Sequence, residues 1–217
     1  MCGRFTLRTP MTVLIRQFQV ELGADRQLPL RFNIAPTQDI LVIRDTDAGR
    51  ELTLMRWGFI SPWSKDPNRG PLLINTRAET AAEKPAFRSA FKSRRCLIPA
   101  DGFYEWKKAG NKKQPHYFRV AGGQLFAFAG LWEKWQAIES CTILTTEANE
   151  LSAQIHDRMP VILSSNDYSE WLDPLAKEPG KLLTPFPASE MSAIPVNPIV
   201  NNARNEGPEC VEPVEVA

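Results

Sequence analysis

The sequence predicts an α+β fold: a single domain over residues 1–217, with a mainly antiparallel, barrel-like β core and peripheral helices. Three observations predict it. Short apolar stretches of strand length recur along the whole chain. The helical stretches between them are few and irregularly placed. No regular strand–helix–strand alternation, the mark of a parallel sheet, runs through them.

Taken in order, residues 9–22 read as an amphipathic helix. Thr9 can cap it, Pro10 suits its first position, and Met11, Leu14, Ile15, Phe18 and Leu22 keep helical spacing. Residues 40–44 and 51–57 read as a hairpin around Asp45-Thr-Asp-Ala-Gly. Residues 61–71 are a Pro/Gly-rich loop holding Trp63, and 85–93 a short helix with Phe87 and Phe91 on one side. Residues 95–106 read as a strand interrupted at Pro99, followed by a turn at 109–111 and a strand over 116–120. Further strands are expected at 124–132, 141–146, 161–163 and 192–196, with short helices at 149–155 and 166–172 and an irregular tail after about 207.

Composition narrows the function classes. Apolar residues make up 43% of the 217 and charged residues 24%, as in ordinary globular proteins. No apolar run is long enough for a membrane helix, and no secretory leader is visible, so a cytoplasmic location, nucleoid-associated when bound to DNA, is expected. The net charge is only +1, which rules against a generic polyanion binder. Its distribution is uneven. Nine basic residues fall between Lys84 and Lys113 against Asp101 and Glu105, fitting either a solvated face or modest phosphate binding. Four cysteines without a C-x-x-C pair and two distant histidines give no zinc pattern, and no metal or organic cofactor is expected.

Cys2 is the first candidate for chemistry. It reads either as a buried, incidental thiol or as a nucleophile. Position favours the second, because an initiator methionine is normally removed before a small residue. The exposed Cys2 would then carry an α-amine of pKa ~8 and a thiol of pKa ~8.5 on one framework. The amine can form an imine with an aldehyde, and the thiol can close onto it as a thiazolidine, an intramolecular step. Gly3 leaves room for an approaching substrate.

Other polar residues sit where a core would not want them. Glu105, among the aromatics of Gly102-Phe-Tyr-Glu-Trp, reads as a proton-transfer group of raised pKa or as half of a structural ion pair. His156, at a helix–strand junction, reads as a general acid or a structural histidine, and Arg158 as a phosphate partner. His116 reads as structural. Asn75 and Arg77 follow an apolar run, so Asn75 can orient a reacting group and Arg77 bind a phosphate. Trp57 and Trp63 bracket a loop, and read as core residues or as a stacking platform. Asn33 and Pro36 are weaker loop candidates.

These pieces together resemble the SRAP family, the SOS-response-associated peptidase or abasic-site processing proteins. The resemblance rests on Met1-Cys-Gly-Arg-Phe, Phe32-Asn-Ile-Ala-Pro, Arg56-Trp-Gly-Phe-Ile-Ser-Pro-Trp and Ile74-Asn-Thr-Arg-Ala-Glu-Thr. It continues through Arg95-Cys-Leu-Ile-Pro-Ala-Asp-Gly-Phe-Tyr-Glu-Trp, Phe128-Ala-Gly-Leu-Trp, Thr145-Thr, Ile155-His-Asp-Arg-Met-Pro-Val-Ile-Leu and Val200-Asn-Asn, in family order. It implies that processed Cys2 crosslinks to the ring-opened sugar of an abasic site in single-stranded DNA. It also implies that Asn75 holds the reacting centre, Glu105 assists proton transfers and His156 promotes ring opening. Arg4, Arg77 and Arg158 would contact phosphates; Asn33, Pro36 and Trp63 would shape the DNA channel. Abasic-site lyase chemistry and autoproteolytic removal of the residue before Cys2 belong to the same implication. Departures fall in the loops and in the tail after Asn202, which holds the unpaired Cys210.

The expected partner is therefore single-stranded DNA containing abasic sites, bound by a monomer. Two other readings compete. One is a protease or autoprotease with Cys2 as N-terminal nucleophile. The other is a non-catalytic single-strand binder in which Cys2 is incidental.

Overall fold

The computed structural model describes residues 2–25, 29–67, 69–110 and 112–215. The chain is mixed α+β, with antiparallel sheets, one of which closes into a ring. Its strands are β1 (Arg4–Leu7), β2 (Arg31–Ile34), β3 (Asp39–Thr46), β4 (Gly49–Trp57), β5 (Asn75–Arg77), β6 (Arg95–Ala100) and β7 (Gly102–Ala109). They continue with β8 (Lys112–Val120), β9 (Phe126–Trp135), β10 (Ile138–Glu147), β11 (Arg158–Pro160), β12 (Ile162–Leu163) and β13 (Met191–Pro195). The helices are α1 (Met11–Phe18), α2 (Ala78–Ala81), α3 (Pro85–Ser93) and α4 (Tyr168–Leu172).

The first sheet runs β13-β8-β7-β1-β2. The second runs β10-β4-β3-β6-β9, and β9 pairs again with β10, closing the ring. Closure leaves no open edge within the ring. β5, β11 and β12 are appended to it, β5 and β11 on β10 and β12 on β9. The core lies inside this ring and beneath the first sheet: Phe5, Trp57, Phe103, Phe118 and Phe128 are almost wholly buried, with Phe5 edge-on to both Trp57 and Phe128.

Several boundaries differ from the sequence reading, each for a physical reason. The first helix ends at Phe18, because Gln19 takes a left-handed conformation; Leu22 instead forms a bridge to Glu51. Thr9 caps nothing. Its hydroxyl donates to Asp101 Oδ2 at 3.0 Å, and Pro10 occupies the cap position. Pro99 does not interrupt its strand: it pairs with Ala127, and β3 pairs with β6 only at Leu97, so no ladder donor is missed there. The break falls at Asp101, a buried carboxylate that accepts from the Thr6 and Thr9 hydroxyls and the Arg8 backbone N–H. Gly102 follows, and any Cβ there would collide with the Tyr117 ring.

The expected helix at 149–155 is a single 3₁₀ turn, Ser152–Gln154, whose first N–H is held by Asn149 Oδ1 at 2.8 Å. The expected helix at 166–172 splits into a 3₁₀ turn, Ser165–Asp167, and α4. Over residues 208–215 the tail is ordered rather than irregular: Pro208–Val211 form a 3₁₀ turn, Pro213 bridges Val196, and Cys210 is buried against Tyr104, Tyr117, Val196 and Val200. Of the turn expected at 109–111, Asn111 lies outside the described residues. No helix is long and apolar enough to cross a membrane.

Candidate active site around Cys2

Cys2 lies two residues before β1, and β1 pairs with β7 as Arg4↔Tyr104, Phe5↔Phe103 and Thr6↔Gly102. Partner numbers sum to 108, so one step back along the register sets Gly3 opposite Glu105. The first sheet thus carries Cys2 to the Glu105 side chain. The closed sheet brings the other two residues. β5 lies parallel to β10, with Asn75 beside Ile143, and β11 lies on β10 with Arg158 opposite Glu147. His156 is two residues before Arg158.

The Cys2 side chain is fully buried and its S–H points to the Arg4 carbonyl at 3.8 Å. Asn75 Nδ2 donates to the Cys2 carbonyl at 2.8 Å, fixing the Cys2 backbone. Among the described residues Asn75 Oδ1 is buried with no hydrogen-bond partner, an acceptor held ready beside Cys2. Burial pushes the Cys2 thiol well above its ordinary range, and the Glu105 charge pushes it further. Glu105 is 4% exposed; burial raises its carboxyl, and the charge of His156 pulls against that.

Glu105 and His156 face one open cleft of about 450 Å³, with Trp106, Lys113 and Asn201 completing the lining. The Trp106 indole N–H donates to Asn201 Oδ1 at 2.7 Å, which holds that wall in place. His156 is partly exposed, and its Nδ1 accepts the Arg158 backbone N–H at 3.0 Å. That assignment, made from heavy-atom geometry, leaves the proton of the neutral ring on Nε2. Asp157 Oδ1 lies 2.9 Å from the same Nδ1 and becomes its partner when that nitrogen carries a proton.

The structure therefore gathers Cys2, Asn75, Glu105 and His156 around one point. The expected DNA contacts divide. Trp63 is 61% exposed, whereas its companion Trp57 is core, its indole N–H bonded to the Ile74 carbonyl. Arg77 is exposed and, two residues along β5, shares a face with Asn75. Pro36 is half-buried in the turn after β2. Arg158 is engaged in a bidentate pair with Glu79 at 2.7 and 2.9 Å and also donates to the Thr145 carbonyl. That pairing lowers the Glu79 carboxyl.

Asn33 and Arg4 are tied into the fold. Asn33 is buried and donates to the carbonyls of Val200, Asn202 and Asn205. Arg4 donates to Asn33 Oδ1 and to the Val200 and Asn201 carbonyls. Together they hold the segment that carries Asn201 to the cleft. His116 sits opposite Glu105 in the ladder, with Nδ1 on the Gln114 carbonyl. The basic stretch is also partly internal: Arg95 is buried and spends its guanidinium on four carbonyls, and Arg94 pairs with Glu133. Lys113, Trp106 and Asn201 were not singled out by sequence reasoning. Asn201 is recruited across 95 residues by the Trp106 bond, which no local pattern announces. Among the described residues no cluster of three His, Cys, Asp or Glu is arranged to hold a metal.

The family model described as SOS response associated peptidase (SRAP) matches residues 1–203. The chain belongs to the SRAP family. A Bacillus subtilis (strain 168) SRAP relative, abasic site processing protein YoqW, is 45% identical over 222 residues, spanning 98% of this chain and 99% of that protein. Abasic site processing protein YedK of Escherichia coli (strain K12) is 32% identical over 226 residues, 99% of this chain and 100% of that one. A solved structure from Bacteroides thetaiotaomicron superposes with a TM-score of 0.87 at 26% identity, covering 99% of this chain and all of the other. The shared SRAP fold is the frame on which the Cys2 cluster is built.

Proposed function

We propose that this protein processes abasic sites in single-stranded DNA through a covalent bond to Cys2. The observation that carries this is the meeting of Cys2, clamped by Asn75, with buried Glu105 at a cleft that also holds His156. The curated relatives' names, abasic site processing protein, supply the substrate class.

The chemistry begins with loss of Met1, because the Cys2 nitrogen is an unreactive amide until then. The freed amine attacks the aldehyde carbon of the ring-opened sugar, giving a carbinolamine. Loss of water leaves an imine. The sulfur then adds to the imine carbon while its proton passes to nitrogen, closing the thiazolidine; one water leaves overall. A thiol held protonated by burial is a poor first nucleophile, which favours the amine striking first. The same feature counts against a general cysteine protease, whose nucleophile needs a lowered pKa.

In this reading Glu105, its pKa raised by burial, carries protons to and from the carbinolamine. His156 offers Nε2–H to the sugar oxygen as the ring opens. Asn75 fixes Cys2, and its spare Oδ1 accepts from the freed amine. Arg77 and Trp63 take phosphate and base, with Pro36 beside the track. Arg158 reaches a phosphate by exchanging Glu79 for it, and Arg4 and Asn33 support the wall behind. Autoproteolysis at the bond before Cys2, and lyase cleavage from the imine, are side branches of the same centre. The test uses single-stranded DNA containing uracil, treated with uracil-DNA glycosylase and mixed with processed protein. A denaturation-resistant adduct that Cys2→Ala abolishes supports the proposal; no adduct, or one that survives the substitution, ends it.

A further inference from the structure

We propose that Lys108 and Lys113, on the β7–β8 hairpin, form a phosphodiester-binding pair that holds the strand at the mouth of the Glu105–His156 cleft; this rests on the proposed DNA substrate. Lys113 lines the cleft with Glu105, Trp106, His156 and Asn201. In the ladder it stands directly opposite Lys108. Antiparallel partners share a face, with Cβ atoms about 5 Å apart, and like charges so placed repel. Both side chains are exposed, and among the described residues neither ammonium has a carboxylate within ion-pair distance.

Elsewhere the chain does neutralise its cations at close range. Arg44 lies between Glu51 and Glu139, Arg94 is on Glu133, and Arg158 is on Glu79. Among the described strand registers, Lys108 and Lys113 are the one pair of like charges set directly opposite each other. A phosphodiester set between the two ammonium groups removes their repulsion and is anchored beside His156. The same strand, β7, carries Glu105, so the phosphate contact and the proton-transfer group are three and eight residues apart along one hairpin. An anchored phosphate places its own sugar over the cleft. This selects abasic sites within a DNA strand over free sugars and other small aldehydes.

The test is equilibrium binding of a single strand containing a tetrahydrofuran abasic analogue, which has no aldehyde and cannot react. Binding is measured from 50 to 200 mM salt for the wild type and for K108Q/K113Q. Each phosphate contact contributes about 0.7 to the salt slope on single strands. Loss of two flattens it by about 1.4, so the wild type loses about sevenfold more affinity than the variant over that range. K108R/K113R restores the slope, and K177Q/K181Q, which removes the same charge elsewhere, leaves it unchanged. Equal slopes for wild type and K108Q/K113Q overturn the proposal, as does an equal loss in K177Q/K181Q. Failure of the covalent reaction with aldehyde-bearing DNA overturns the Cys2 chemistry instead and leaves this result standing.

Discussion

Replacing Asn75 with alanine separates positioning from stability. The Asn75 Nδ2 bond to the Cys2 carbonyl, 2.8 Å long and partly buried, contributes about 1 kcal/mol to the native state. Asn75 Oδ1, buried with no partner among the described residues, costs a comparable or larger amount, about 1–3 kcal/mol. Alanine removes both but leaves the Cys2 carbonyl without its donor, a cost of the same order, so the terms offset and the expected change in stability is small, within about 1–2 kcal/mol of zero. The reaction feels both losses, the clamp on Cys2 and the acceptor for its freed amine. A freed Cys2 backbone that forfeits about 1–3 kcal/mol of orientation reacts about five- to more than a hundredfold more slowly, at 1.36 kcal/mol per tenfold. The assay is single-turnover adduct formation with abasic single-stranded DNA, read on a denaturing gel beside a thermal melt of the same preparation. A variant that crosslinks at the wild-type rate refutes the clamp. A variant that loses rate only in proportion to unfolded protein refutes the separation.

Glu105→Gln keeps shape and removes charge. Because burial raises the Glu105 pKa in the folded state, the native protein holds this proton more tightly than the unfolded chain. Its destabilising contribution is absent below the unfolded carboxylate pKa and grows as pH rises toward the folded value. The variant is therefore expected to melt higher than wild type at neutral pH, and equally near pH 4, while forming adduct more slowly; a lower melting point at neutral pH would contradict this. Trp63→Ala, at a largely exposed indole, leaves the melting temperature unchanged and weakens single-strand binding by about 1–3 kcal/mol, measured by fluorescence titration.

Much of the site was legible because Cys2, Asn75, Glu105 and His156 are each out of place by a local standard. A thiol sits behind a removable methionine, a carboxylate among aromatics, an amide after an apolar run, and a histidine at a junction. The long strands β3, β4, β9 and β10 were legible for a related reason: apolar runs mark β3 and β9, and apolar residues interleaved with Thr and other polar residues mark β4 and β10. β1, β2 and β5 were not. They are three or four residues long and carry Arg, Asn and Thr, so no alternation marks them, and pairing with distant strands makes them strands. Asn33 looked like a loop contact because its sequence neighbours say nothing of Val200, Asn202 and Asn205, whose carbonyls claim its amide. Arg158 looked available for phosphate for the same reason, since Glu79 is 79 residues away in sequence. Charge counted along the chain does not distinguish a buried Arg95 from an exposed Lys113.

The central claim is that the Cys2 amine and thiol both end on one carbon of the sugar. Intact mass of the protein after reaction with abasic single-stranded DNA, taken with and without borohydride, tests this most directly. The account predicts a chain lacking Met1 that gains the DNA strand less one water, with no added hydrogens when reductant is supplied after the reaction, because a thiazolidine has no imine left to reduce. An adduct that retains Met1, or one that survives only when borohydride traps it, would contradict the account.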